Sequence, residues 1–217
     1  MRTRVKYCGL VRPQDVDAAV AIGADAVGFV FYPRSPRLLD LETAAALRRR
    51  LPSWVAAVGL FVNEPATVIE PIARRVGLDV IQLHGDESPA EAKPLPTTWW
   101  KAIRIGPSEG ATAILHSLEA FRDAEFCLLD SASVGYGGSG KTFDWSLVPP
   151  RLGRRLIMSG GIDADNVGAA IARVRPFAVD TSSGIQARSP REKDVGRMEQ
   201  FMEAVRRADD TAAATRQ

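Results

Sequence analysis

The sequence is poor in cysteine and in net charge, and each shortage excludes a class of protein. Only two cysteines occur in 217 residues, Cys8 and Cys127. That number is too small for a fold that depends on disulfides, so a reducing cytoplasm is the expected setting. Charged residues make up 25% of the chain and nearly cancel, leaving a formal charge of +2. Because this charge creates no dominant field, we expect no nucleic-acid partner.

Long apolar runs are also missing. The first residues, MRTRVKYCGLVRP, lack the apolar core of a secretory signal, and no apolar run approaches the ~20 residues needed to cross a bilayer. We therefore expect a soluble protein without membrane contact. The final residues, 209–217, are small, polar and without periodicity, which predicts a disordered tail after one catalytic domain over residues 1–208.

What the sequence does contain is a regular alternation of short apolar runs with segments of helical spacing. The apolar runs recur about every 20 to 30 residues, as expected of parallel βα units. Eight such units favour an α/β fold in the form of a single (β/α)8 TIM barrel, with an open doubly wound sheet as the alternative. The predicted strands cover residues 5–8, 26–31, 56–62, 79–84, 99–105, 125–130, 154–160 and 177–182.

Helix boundaries can be predicted at several points between these strands. Pro13 suits the first position of a helix that Gly23 can end. Asp40 is a plausible N-cap for the next helix. The paired prolines Pro149 and Pro150 leave room for a very short sixth helix at most.

Polar or reactive residues stand at the ends of most predicted strands. In a (β/α)8 barrel this is the edge where chemistry occurs, and a phosphate often binds after the last two strands. Residues two apart in a strand face the same way, so Lys6 and Cys8 should face the barrel interior while Val5 and Tyr7 face the helices. The strand-end residues are Cys8, Asn63, His84, Arg104, Asp130, Gly160–Gly161 and Ser182–Gly184.

The segment GYGGSGKT, residues 135–142, satisfies the G-x-x-x-x-G-K-[ST] pattern of a nucleotide-binding P-loop. A true P-loop leaves a strand directly and opens a substantial helix. Here four residues intervene after Asp130, and paired prolines follow soon after. The segment therefore predicts a cradle for the phosphate of a sugar ester, with nucleotide binding as the alternative.

Eight sequence blocks in order resemble one family, phosphoribosylanthranilate isomerase of tryptophan biosynthesis. The resemblance implies a (β/α)8 barrel without cofactor or metal. It also implies an Amadori rearrangement of N-(5-phospho-β-D-ribosyl)anthranilate to 1-(2-carboxyphenylamino)-1-deoxy-D-ribulose 5-phosphate. A catalytically inactive barrel that serves as a binding partner is a further alternative. The blocks are KYCGLVRPQD, ADAVGFVFYPRSPR, VGLFVNEP, VIQLHGDE, LLDS, GYGGSGKTFDW, SGGIDADNV and VDTSSGIQARSPREKD.

The resemblance also implies roles for individual residues. Asp130 would donate a proton to the furanose ring oxygen, and Cys8 would remove the proton from C2. Arg37 would bind the anthranilate carboxylate with its planar fork, while Arg34 would face solvent. His84 is either a substrate contact or a rim histidine bonded to backbone. The phosphate would be bound by Gly137, Gly138, Ser139, Gly140, Gly160, Gly161, Ser182, Ser183 and Gly184.

Several points stay open at this stage. Tyr7 and Gln186 depart from the residues usual in the family, Tyr7 on the side of its strand that faces the helices and Gln186 next to the predicted phosphate loop. For Asp180 we favour a structural role, and for Cys127 a buried apolar one. A related histidine-pathway isomerase uses an aspartate where Cys8 stands, so Cys8 favours the anthranilate substrate without excluding a second aminoaldose. We expect a monomer or a homodimer.

Overall fold

Eight parallel strands close into a barrel in the order of the chain. The computed structural model describes residues 2–95, 97–106, 109–132, 142–149, 152 and 155–214. Every neighbouring pair is parallel, including β1 with β8, which closes the sheet. The closed sheet confirms the predicted (β/α)8 barrel and excludes the alternative, an open doubly wound sheet. The strands are β1 Arg4–Cys8, β2 Ala26–Val30, β3 Ala56–Phe61, β4 Val80–Leu83, β5 Trp99–Ile105, β6 Phe126–Ser131, β7 Leu156–Met158 and β8 Ala178–Thr181.

Helices lie between most strands and begin and end where the sequence provides caps. Pro13 opens the first helix, and Gly23, at φ 99°, ends it. The Asp40 side chain accepts a hydrogen bond from the backbone N–H of Thr43 at 2.8 Å, as an N-cap does. The helices are α1 Pro13–Ile22, α2 Leu41–Arg48, α3 Ala66–Val76, α4 Pro89–Ala92, α5 Ala111–Ala120, α6 Val167–Val174 and α7 Val195–Ala214.

The seventh strand is shorter than predicted. It ends at Met158, because Gly160 and Gly161 adopt positive φ angles of 76° and 65° and turn the chain away from the sheet. Between β6 and β7, a short 3-10 turn covers Trp145–Leu147. This turn fits the prediction of a very short sixth helix at most.

The C-terminal boundary was predicted too early. Residues 209–214 continue α7 instead of forming a tail, and residues 215–217 lie outside the described part of the chain. Asp209 explains the continuation: its carboxylate accepts hydrogen bonds from the backbone N–H of Thr3 at 2.6 Å and from the Thr3 hydroxyl at 2.7 Å. The end of α7 is thereby bonded to the residue that precedes β1.

The strand register divides the barrel interior into an apolar lower part and a polar upper part. Lys6 pairs in register with Ala26 and with Asp180, and the same alternate positions continue around the sheet. The lower part is filled by side chains such as Val58, Trp100 and Leu128. Polar interior positions follow toward the carboxyl ends of the strands, so the fold supplies a closed floor and a chemically active rim.

Tyr7 faces the helix layer, as predicted from the alternation. Its hydroxyl donates to the Met198 carbonyl at 2.7 Å, and its ring meets the Phe201 ring edge-on at a centroid distance of 6.1 Å. This unusual residue therefore belongs to the packing of α7 against the barrel. Within the described residues, no helix has the length and hydropathy needed to span a bilayer.

Candidate active site

One cavity at the carboxyl ends of the strands brings together most of the residues predicted from the sequence. The cavity is also lined by Gln82 and Ser159, which the sequence analysis did not single out for the site. Asp180, for which a structural role was expected, lines it as well. The predicted residues that line it are Cys8, Arg37, His84, Asp130, Gly160, Gly161, Ser182 and Ser183.

Cys8 ends β1 with its thiol buried in the upper barrel, 5% exposed. A Cβ atom on the neighbouring Gly28 would lie 2.7 Å from Sγ, so only glycine there leaves room for the sulfur. Burial raises the pKa of the Cys8 thiol, and the nearby Lys6 charge lowers it in part. A base at this position therefore depends on nearby cations to become a thiolate.

Lys6 and Asp180 form a buried ion pair directly below Cys8. The Lys6 ammonium lies 2.7 Å from Oδ1 of Asp180, and both side chains are almost fully buried. The Ser159 hydroxyl donates to the other carboxylate oxygen at 3.2 Å. Asp180 is thus bonded to Lys6 and Ser159, and it also lines the cavity.

Asp130 projects from β6 and is bonded to His84, which follows β4. Nε2 of His84 lies 3.0 Å from Oδ2 of Asp130, and Nδ1 lies 2.9 Å from the Gln82 amide nitrogen. Because that amide donates to Nδ1, the ring proton lies on Nε2 and is donated to Asp130. The backbone N–H of Ser131 donates to the other Asp130 oxygen at 2.8 Å. Two hydrogen-bond donors therefore point at the carboxyl oxygens of Asp130.

Arg37 reaches the cavity from the loop between β2 and α2. Its Nε donates to the Pro190 carbonyl at 3.1 Å, and its Nη2 donates to Oε1 of Gln186 at 2.6 Å. Burial lowers the pKa of this guanidinium. Gly9, at φ 72°, allows the approach, since a Cβ there would overlap Cδ of Arg37. Gln186 therefore holds the arginine, a role that the sequence did not indicate.

The loops after β7 and β8 form the opposite side of the cavity. Gly160 packs so closely on Ser131 that a side chain would overlap the Ser131 backbone. Gly184 does not line the cavity, because it packs against the Ile162 carbonyl instead. The remaining predicted phosphate residues, Gly137, Gly138, Ser139 and Gly140, lie outside the described part of the chain, as does most of the P-loop-like segment.

Lys193 supports this side of the cavity through Ser182, although no pattern in the sequence indicated it. Its ammonium donates to the carbonyl of Ser182 at 2.8 Å and to the Ser182 hydroxyl at 3.2 Å. Burial, and then the charge of Arg37, lower the pKa of Lys193 to about 7. The lysine thus fixes the orientation of a serine that lines the cavity.

Two strand-end residues organise a loop outside the cavity lining. Arg104 forms an ion pair with Asp86, and the Asn63 side chain accepts from the backbone N–H of Asp86 at 2.6 Å. Both contacts belong to the loop after β4. In the described residues, no group of three or more His, Cys, Asp or Glu side chains could hold a metal ion.

Comparison with known proteins identifies relatives of this barrel. Residues 5–204 match the family model described as N-(5'-phosphoribosyl)anthranilate (PRA) isomerase. The chain is 47% identical over 211 residues to N-(5'-phosphoribosyl)anthranilate isomerase of Dechloromonas aromatica, covering 97% of this chain and 100% of that one.

Solved structures agree with this result. Monomers generated from the dimeric phosphoribosylanthranilate isomerase of Thermotoga maritima superpose with a TM-score of 0.81 at 37% identity, covering 94% of this chain and 98% of that one. A phosphoribosyl anthranilate isomerase in complex with reduced 1-(o-carboxyphenylamino)-1-deoxyribulose 5-phosphate gives a TM-score of 0.80 at 35% identity, with the same coverage.

Proposed function

Because this chain belongs to the N-(5'-phosphoribosyl)anthranilate isomerase family, we propose that it isomerises N-(5-phospho-β-D-ribosyl)anthranilate to 1-(2-carboxyphenylamino)-1-deoxy-D-ribulose 5-phosphate in tryptophan biosynthesis. The observation that carries the proposal is the shared cavity. A thiol from β1 and a carboxyl from β6 face the same space, although 122 residues separate Cys8 from Asp130 in the sequence.

In the proposed mechanism Asp130 is the acid of the first step. It protonates the furanose ring oxygen, the ring C–O bond breaks, and an open-chain iminium forms. The resulting Asp130 carboxylate then accepts the Nε2–H of His84 and the backbone N–H of Ser131. These two donors stabilise the charge that appears on Asp130 as the ring opens. His84 thus assists the acid, in addition to any contact with substrate.

Cys8 is the base of the second step. As a thiolate it removes the proton from C2 of the iminium, and the electron pair of that C–H bond neutralises the iminium to give an enolamine. Tautomerisation of the enolamine yields the ketone. Gly28 leaves the sulfur free to face the cavity, which supports this role.

The two anionic ends of the substrate fit opposite sides of the cavity. Arg37 would bind the anthranilate carboxylate, a task for which its contacts to Gln186 and Pro190 hold it in place. Backbone N–H groups around Gly160–Gly161 and Ser182–Ser183 would bind the phosphate. The segment Gly137–Gly140 remains a predicted part of this phosphate site.

The test is a fluorescence assay that follows consumption of phosphoribosylanthranilate by the purified protein. Turnover that requires Cys8 supports isomerase activity and contradicts an inactive barrel. The nucleotide-binding alternative receives no support from the comparisons. It predicts loss of function in Lys141→Ala, whereas the isomerase should retain substantial activity in that variant.

For the assembly we propose a monomer or a homodimer, as in the dimeric relative from Thermotoga maritima. Light scattering of the purified protein distinguishes the two. A larger oligomer would contradict both.

A further inference from the structure

The buried position of Cys8 raises a question about how it becomes a base. A thiolate, not a thiol, abstracts protons, and burial disfavours the charged form of the sulfur. The groups whose charges act on Cys8 come from different elements: Lys6 on β1, Asp180 on β8, and Lys193 on the loop before α7. Arg37, from the loop after β2, interacts with the same sulfur.

We propose that Lys6 is a positioning residue that increases the fraction of Cys8 in its reactive thiolate form, with Asp180 and Ser159 fixing the lysine in place. Lys6 and Cys8 are two residues apart on the interior face of one strand, so the ammonium and the sulfur share the upper barrel. Of the three donors on the ammonium, one is bonded to Asp180. The ammonium also interacts with the sulfur of Cys8, by charge and as a hydrogen-bond donor. This inference rests on the proposed role of Cys8.

The other two cations are less suited to this task. Arg37 is bonded to Gln186 and Pro190 and is assigned to the substrate carboxylate. Lys193 donates to Ser182, and its pKa of about 7 leaves it largely uncharged in mildly alkaline solution. Lys6 stays charged there: burial lowers its pKa, but Asp180 and Cys8 more than offset this, and the pKa is raised overall. Lys6 also exerts the largest favourable effect on the Cys8 thiolate.

The buried ion pair of Lys6 and Asp180 also contributes less to stability than an apolar pair of similar size would. Lys6 is 2% exposed and Asp180 is 4% exposed, and removing two charges from water costs free energy that an apolar pair would not. The neighbouring interior positions are apolar: Ala26 on β2 pairs in register with Lys6, and Ala178 precedes Asp180 by two residues on β8. Because apolar side chains could fill the same space without this cost, the buried charges of Lys6 and Asp180 favour a role in the chemistry of Cys8 over a role in stability.

The test is titration of the Cys8 thiolate in the full-length protein without substrate. The ultraviolet absorbance of the thiolate is followed against pH, and the Cys8→Ser spectrum is subtracted to remove the signal of Cys127. We expect Lys6→Gln to move the midpoint upward by about one pH unit or more, as for loss of an adjacent opposite charge. At pH 7 kcat should fall about 10-fold or more while KM changes little, because the thiolate fraction falls tenfold per pH unit.

A second variant is included because Lys6→Gln leaves the Asp180 carboxylate buried without its cation, which destabilises the fold. Lys6→Met with Asp180→Leu removes both charges at similar volume. Since the favourable effect of Lys6 on Cys8 exceeds the opposing effect of Asp180, the midpoint should still rise, by less than in Lys6→Gln.

The matched control is Lys101→Met. Lys101 is also buried and ion-paired, 2.9 Å from Glu87, but it does not line the cavity. This control should lose stability without moving the Cys8 midpoint. An unchanged midpoint in folded Lys6→Gln or in the double variant overturns the inference. Because the titration uses no substrate, that result is distinct from an absence of isomerase activity.

Discussion

At the residue scale, the proposed chemistry depends on a thiol and a carboxyl group, each supported by different neighbours. Cys8 has cations around it, and Asp130 has the hydrogen-bond donors His84 and Ser131. The charge of Lys6 favours the Cys8 thiolate that starts the second step, against the burial that raises the pKa of the thiol, and the donors on Asp130 stabilise the carboxylate that ends the first step. The two roles therefore follow from the neighbours as much as from the residue types.

We expect Cys8→Ser and Asp130→Asn each to lower kcat by ~10²-fold or more, the usual scale for loss of a general acid or base. Both changes keep the approximate size of the side chain, so the fold should be preserved. Steady-state kinetics with the fluorescence assay measures the effect. Full activity in either variant would refute the role assigned to that residue.

Arg37→Ala should act mainly on substrate binding. Loss of a charge-assisted hydrogen bond to the substrate carboxylate should raise KM about 10-fold or more, with a smaller change in kcat. Arg34→Ala is the matched control, because Arg34 borders the same cavity but is exposed, and its KM should change less. An unchanged KM in Arg37→Ala would argue against the carboxylate contact.

At the scale of the elements, α7 packs on the barrel and is also hydrogen-bonded to the start of the chain. It contacts β1 through Tyr7 at one point and through the bond from Thr3 to Asp209 at another. The sequence analysis treated residues 209–217 as a tail because they are small and polar. Alanine-rich sequence nevertheless continues a helix readily when its side chains find partners, and Asp209 has one 206 residues away in the chain.

Asp209→Ala should therefore lower the free energy of unfolding by about 1–3 kcal/mol, since two donors on Thr3 lose their acceptor. Urea denaturation measures the change, and kcat should be preserved because Asp209 is remote from the cavity. Asp210→Ala is the control, as Asp210 is exposed on the next position of the helix. Equal stability of the two variants would mean that the bond to Thr3 contributes little.

At the scale of the whole molecule, the buried charges make stability depend on pH. Lys193 has a pKa of about 7 in the folded protein, well below the 10.5 of an unperturbed lysine. Between these values the unfolded chain binds the proton that the folded protein releases, so stability rises with pH across this window. Below pH 7 both states are protonated, and the cost of burying the charge is fully present.

Relative to Lys193→Met, the native protein should gain up to about 1.4 kcal/mol of stability per pH unit between pH 7 and 10. Urea denaturation of both proteins at several pH values measures the difference, and groups that titrate alike in both proteins cancel. If the difference were independent of pH, Lys193 would not release its proton on folding.

The sequence predicted the barrel well because each strand is an apolar run bounded by polar residues. It also placed Cys8, His84 and Asp130 at the edge of the sheet where the cavity lies, since strand ends meet there. The strand ends Asn63 and Arg104 lie outside the lining. The pairing of Lys6 with Asp180 could not be predicted from the sequence, because the two residues lie 174 positions apart. They meet only through the register between β1 and β8. The burial of Lys193 could not be predicted either, since a lysine in a loop is ordinarily exposed.

The alternation along β1 has a consequence for engineering. Lys6 and Cys8 face the barrel interior, while Val5 and Tyr7 face the helix layer, so the two sets of positions can be redesigned separately. A new catalyst could be sought by exchanging the inward side chains alone, and a more heat-resistant enzyme by exchanging the outward ones.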